Sequence, residues 1–108
     1  GIYPINHTVV VKDALLESDP TLAPRLFDAF KEAKAAFLQR LSAGAELSSE
    51  EQALAQRRSL VGDDPLPYGL ARNRPALEAV IRFAHDQQIL PRLVSPEEIF
   101  PSNTLDLE

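Results

Sequence analysis

The stretch GIYPINHTVVVKD, residues 1–13, decides how this chain is read. Within it, Ile5-Asn6-His7-Thr8-Val9-Val10-Val11 is rich in apolar, β-branched residues, the composition of a buried strand. Pro4 cannot donate to a ladder and stands at the entrance, where proline is tolerated. On period-two alternation Tyr3, Ile5, His7, Val9 and Val11 share one face, and Asn6, Thr8 and Val10 share the other. Apolar residues on both faces predict a strand over 5–11 covered from both sides, as in an α/β sheet. No second strand follows, and a lone strand cannot satisfy its own backbone groups. The sheet is therefore expected in polypeptide outside these residues. The alternative is a homodimer through the exposed strand, although a two-stranded sheet is marginal.

Working outward from Lys12-Asp13, which ends the strand, Asp13 is placed to cap a short helical turn through Ala14-Leu15-Leu16. Asp19-Pro20 then reads as a cap followed by proline at the first helical position, where its missing N–H costs nothing. Leu22, Leu26, Phe30, Ala33, Phe37 and Leu41 recur at steps of three and four, predicting an amphipathic helix over 20–42 that ends at Ala43-Gly44. Ser48 with Glu51 forms a capping-box pattern and opens a helix over 49–61. The run from Gly62 to Gly69 is a loop by composition. Asn73 is placed to cap a helix over 74–89 with Leu77, Val80, Ile81 and Ala84 as its stripe, closed by Pro91. Ser95-Pro96-Glu97-Glu98 is a second capping box, starting a short helix over 96–100. The expected fold is mainly α with one N-terminal β-strand.

At 108 residues and 44% hydrophobic, the chain suits one small domain. The net charge is −5 and the basic residues are scattered, without the stripe a nucleic-acid surface shows, so no nucleic-acid partner is expected. No apolar run approaches the roughly 20 residues needed to span a bilayer. With no cysteine, thiol catalysis and disulfides are excluded. His7 and His85 stand far apart, outside any zinc-ligand spacing, and no metal is expected. The chain starts at Gly1 and contains no methionine, and Leu107-Glu108 reads as a cloning scar ahead of a purification tag. Residues 1–106 are then expected to be a single piece from the C-terminal end of a longer protein.

Four segments carry a resemblance. Ile2-Tyr3-Pro4-Ile5-Asn6-His7-Thr8-Val9-Val10 is similar to the strand of the 4,5-dihydroxyphthalate decarboxylase-like proteins. Pro67-Tyr68-Gly69-Leu70 with Asn73-Arg74 looks like that family's loop. His85 with Gln87, Gln88 and Leu90 resembles its helix end, with Gln88 where glycine is expected. Ser95-Pro96-Glu97-Glu98-Ile99-Phe100 resembles its C-terminal segment. The four occur in order and cover nearly the whole chain. The resemblance implies the C-terminal portion of a two-lobed α/β, type 2 periplasmic-binding-protein-like fold. It also implies a decarboxylase that converts 4,5-dihydroxyphthalate to 3,4-dihydroxybenzoate and carbon dioxide, with the piece itself inactive. The other reading of the same fold is a solute-binding protein for a small organic anion.

Direct scission of an aryl–carboxylate bond leaves an unstable carbanion. With a hydroxyl para to the leaving group, loss of its proton moves electron density to the ipso carbon, which is protonated before carbon dioxide departs. Such a site needs an acid, a base and cations or donors for the second carboxylate, and no cofactor. His7 is the catalytic candidate because its ordinary pKa lies near working pH. The plain alternative is a buried histidine bonded to backbone. The substrate-binding candidates for an aromatic dicarboxylate are Tyr3, Asn6, Tyr68, Arg72, Asn73 and Arg74. Arg72 or Arg74 offers a bidentate grip on a carboxylate, while Tyr68 and Asn73 equally suit packing and capping. A cytoplasmic location is expected, or a periplasmic one if a leader precedes the piece.

Overall fold

The computed structural model describes residues 5, 7–44, 46–62 and 64–108. Among these residues five α-helices follow one another: α1 (Asp13–Ser18), α2 (Leu22–Ser42), α3 (Ser49–Gln56), α4 (Arg58–Val61) and α5 (Leu70–Asp86). Two 3-10 turns, Pro96–Glu98 and Ser102–Thr104, complete the chain.

Among the described residues there is no strand and no sheet, which overturns both the strand predicted over 5–11 and the two-lobed α/β architecture that the resemblance implied. Residues 7–12 are irregular, and Val9 and Val10 are 61% and 87% exposed. The physical reason is the one that made the strand a puzzle. A ladder needs a partner, and without one Thr8, Val9 and Val10 stay in water. Apolar residues on both faces of a segment do not by themselves bury it on both sides.

The chain forms two compact units, one of Gly1–Leu26 with Tyr68–Glu108 and one of Phe27–Pro67. In the second unit, α2 carries Lys34, whose ammonium donates to Asp64 at 2.9 Å and to the carbonyl of Leu66 at 3.0 Å. Asp64 also accepts from the Leu66 N–H at 3.1 Å, so the turn around buried Pro65 is pinned to the helix through one carboxylate. The Ser48 capping box is formed in both directions, and Glu51 additionally accepts from Arg40 at 2.6 Å. The helix predicted over 49–61 is broken at Arg57, whose N–H turns back to the carbonyls of Leu54 and Ala55.

In the first unit, Asp19 accepts from the N–H and hydroxyl of Thr21 and from Arg25, fastening the entry to α2. The buried hydrophobic side chains among the described residues are Leu70, Leu77, Ala79 and Ile81, all on α5. That helix begins four residues before the predicted start. Gly69, at φ 90° and ψ 151°, turns the chain into it, and Leu70 joins Leu77 and Ile81 on one stripe. Pro75 therefore lies inside the helix rather than in its first turn, at the cost of one backbone hydrogen bond.

Candidate functional site

Of the residues singled out from sequence, Tyr3 and Asn6 lie outside the described residues. His7 is exposed in the irregular segment before α1. Without a strand, the alternation that put Tyr3 and His7 on one face no longer orders them. Tyr68, half-buried, immediately precedes Gly69 at the start of α5, and Arg72, Asn73 and Arg74 lie in the first two turns. No hydrogen bond or ion pair among the described residues connects His7 with this group.

Asn73 does not cap the helix. It stands inside, and its side-chain amide donates to the Gly69 carbonyl at 2.9 Å, bracing the turn from the helical side. Arg72 and Arg74 are two positions apart and so project to opposite sides of α5. Arg72 is exposed. Arg74 is bonded to Glu97 and approaches Glu78, one turn along the same helix, at 3.5 Å. Both members of the Arg74–Glu97 pair are half-exposed.

The sequence marks Glu97 only as part of a helix start, and its pairing with Arg74 spans 23 positions. No local pattern carries that signal, because it depends on how the Ser95 turn folds back on α5. The hydrogen bond from Arg74 holds the Glu97 carboxyl below the usual glutamate range and raises the guanidinium in turn. Glu98 is lowered too, first by its bond from Arg92 at 2.7 Å and then by the Ser95 N–H it accepts. The C-terminal segment is tied down again by Asn103, which donates to the Pro20 carbonyl at 2.8 Å, and by Leu107, whose carbonyl oxygen lies against Gly69.

At the other end of α5 the last turn closes as a Schellman motif. The Ile89 N–H bonds to the Ala84 carbonyl and the Gln88 N–H to that of His85. Gln88 holds φ 62°, the left-handed conformation that glycine adopts without penalty. His85 is 3.7 Å from its neighbour Asp86 beside a shallow hollow shared with Gln88, Leu90 and Pro91.

Among the described residues, no group of three or more His, Cys, Asp or Glu side chains is arranged to hold a metal ion. None of the described helices is long and apolar enough to cross a membrane. The chemistry on display is that of carboxylate recognition by arginine, with that of Arg74 taken up by the chain's own carboxylates.

No family model matches the chain, and no solved structure matches it. Its sequence is 32% identical over 109 residues to the 4,5-dihydroxyphthalate decarboxylase of Comamonas testosteroni, a match covering 97% of this chain and 33% of that protein. The chain thus spans about one third of the length of the curated relative it matches. The relationship to the 4,5-dihydroxyphthalate decarboxylases is distant and partial.

Proposed function

We propose that this chain is part of an aromatic-acid decarboxylase that converts 4,5-dihydroxyphthalate to 3,4-dihydroxybenzoate and carbon dioxide, and that it is inactive by itself. The observation that carries the reading is the 32% identity sustained along 97% of the chain.

The reaction has a route within reach of ordinary side chains. A base removes the proton of the hydroxyl para to the departing carboxylate. The released electron pair raises density at the ipso carbon, and an acid delivers a proton there. The bond to the carboxylate carbon then breaks, carbon dioxide leaves, and the pair from that bond restores the aromatic ring while the phenolate regains its proton. One proton is consumed overall. We assign His7 to proton transfer, because an imidazole both gives and takes a proton near neutral pH. Its exposure on an irregular segment leaves it open to a substrate held by surrounding polypeptide. Tyr3, Asn6, Tyr68, Arg72, Asn73 and Arg74 are proposed as the substrate-binding residues, with Arg72 or Arg74 rather than both gripping a carboxylate, Arg74 only by releasing Glu97 and Glu78. The whole enzyme is proposed to be cytoplasmic.

The test is carbon dioxide release from 4,5-dihydroxyphthalate by a protein that joins this chain to polypeptide equivalent to the other two thirds of the relative. His7→Ala is expected to lower kcat by about 100-fold or more while the fold is kept. Tight binding of the substrate without any carbon dioxide release by the unaltered protein would sink the proposal.

A further inference from the structure

The closure of α5 carries a long polar residue where its backbone favours none. Gln88 holds φ 62°, a conformation that costs every residue but glycine. It also borders the open hollow of about 370 Å³ that His85, Asp86, Leu90 and Pro91 complete. Strain retained beside a cavity points to a use for the residue that bears it.

Three polar side chains border this hollow, those of His85, Asp86 and Gln88. Among the described residues none of the three makes a side-chain hydrogen bond. His85 Nδ1 and Asp86 Oδ1 stand 3.7 Å apart, beyond hydrogen-bonding distance. Asn73 and Arg74, on the same helix, are by contrast engaged with Gly69 and with Glu97 and Glu78. An imidazole and an amide each donate and accept, while a carboxylate only accepts. Leu90, half-buried, and Pro91 supply the apolar wall. No lysine or arginine is among the lining residues, so an anion would meet the Asp86 carboxylate without a counter-charge. A metal ion would find only His85 and Asp86 as strong ligands, and would leave the apolar wall unused.

We propose that this hollow binds an uncharged phenolic ring of the catechol type. The ring lies against Leu90 and Pro91. One hydroxyl donates to the Asp86 carboxylate, and the other exchanges hydrogen bonds with His85 and the Gln88 amide. A sugar, with a hydroxyl on nearly every carbon, would set polar groups against Leu90 and Pro91 that they cannot bond. Along α5 the hollow is 11 residues from Arg74, about 16 Å at the helical rise, farther than one ring with its substituents spans. The proposal therefore concerns a site of its own and stands whichever reaction the whole protein performs.

The test titrates the chain with catechol and follows the resonances of the His85 imidazole and the Gln88 amide by NMR. Saturable shifts are expected with a Kd of about 1–10 mM, the scale of a small fragment. Phthalate, the same ring with carboxylates in place of hydroxyls, is expected to leave both resonances unmoved. Gln88→Gly relieves the strained backbone, so it is expected to melt higher and yet bind catechol about fivefold more weakly, the worth of one hydrogen bond. Asp86→Ala is expected to weaken binding by a similar factor, and decides the matter should Gln88→Gly fail to fold. The absence of saturable shifts overturns the proposal, as does an equal response to phthalate. Catechol affinity unchanged in either folded variant overturns it too. None of these readouts uses decarboxylation, so failure of this site and failure of the catalytic reading are separable.

Discussion

Gly69 is where a single atom decides most. A methyl group added to its Cα would stand 2.5 Å from the Leu107 carbonyl oxygen, closer than such atoms approach. Its φ of 90° with ψ of 151° belongs to a region that other residues reach only under strain. Gly69→Ala is therefore expected to destabilise the chain by about 1–3 kcal/mol and to expose the C-terminal residues to carboxypeptidase. Ending the chain at Asp106 removes the collision but leaves the strain, so it should recover only part of the lost stability. Unchanged melting in Gly69→Ala would refute this account. Sequence showed Gly69 as a turn residue but hid the close approach of Leu107, because the two meet only once the chain has folded back. The sequence offers Arg74 as a partner for a substrate carboxylate, and nothing in it shows that the folded chain places Glu97 and Glu78 beside the guanidinium.

The helices themselves were legible where the periodicity was long. The stripe running from Leu22 to Leu41 fixes α2 to within two residues of its predicted start, and Pro24 fits in its first turn. The reading failed where a cap competed with burial. Asn73 followed by Pro75 matches a helix start, yet burying Leu70 beside Leu77 and Ile81 outweighs Pro75's lost hydrogen bond, and Asn73 is absorbed into the helix. It failed again at residues 5–11, where strand propensity has no partner strand to act upon. At the far end of α5, the Schellman closure puts Gln88 where the resembling family's pattern has glycine. Relief of the left-handed strain makes Gln88→Gly stabilising by about 1 kcal/mol, seen as a melting temperature higher by about 4–8 °C. A lower melting temperature would mean that the Gln88 side chain contributes more than its backbone costs.

At the scale of the whole molecule, the polar fastenings share one dependence on acidity. Asp19 is lowered by its hydrogen bonds from Thr21, Glu51 by the Ser48 N–H, Glu97 by Arg74 and Glu98 by Arg92. In each case the folded chain binds the proton less readily than the unfolded chain. The stability they lend is complete above the ordinary carboxylate pKa and is lost as pH falls through the lowered folded values. Melting temperature is therefore expected to drop on acidification below about pH 5, and less steeply in high salt, because all four groups are solvent-accessible. A melting temperature that climbed over that interval would contradict the pairing described here. These fastenings lie in both units, so the helical circular dichroism of the chain is expected to fall over the same pH interval.

The exposed Val9-Val10 pair has a consequence for handling the protein. Small aliphatic residues on irregular, water-facing backbone suit an elastase-like protease, and the nearest helix starts only at Asp13. One cut after Val10 would carry away His7 while every helix stays in place. A preparation clipped there would pass every test of folding and still lack the group proposed to move the proton.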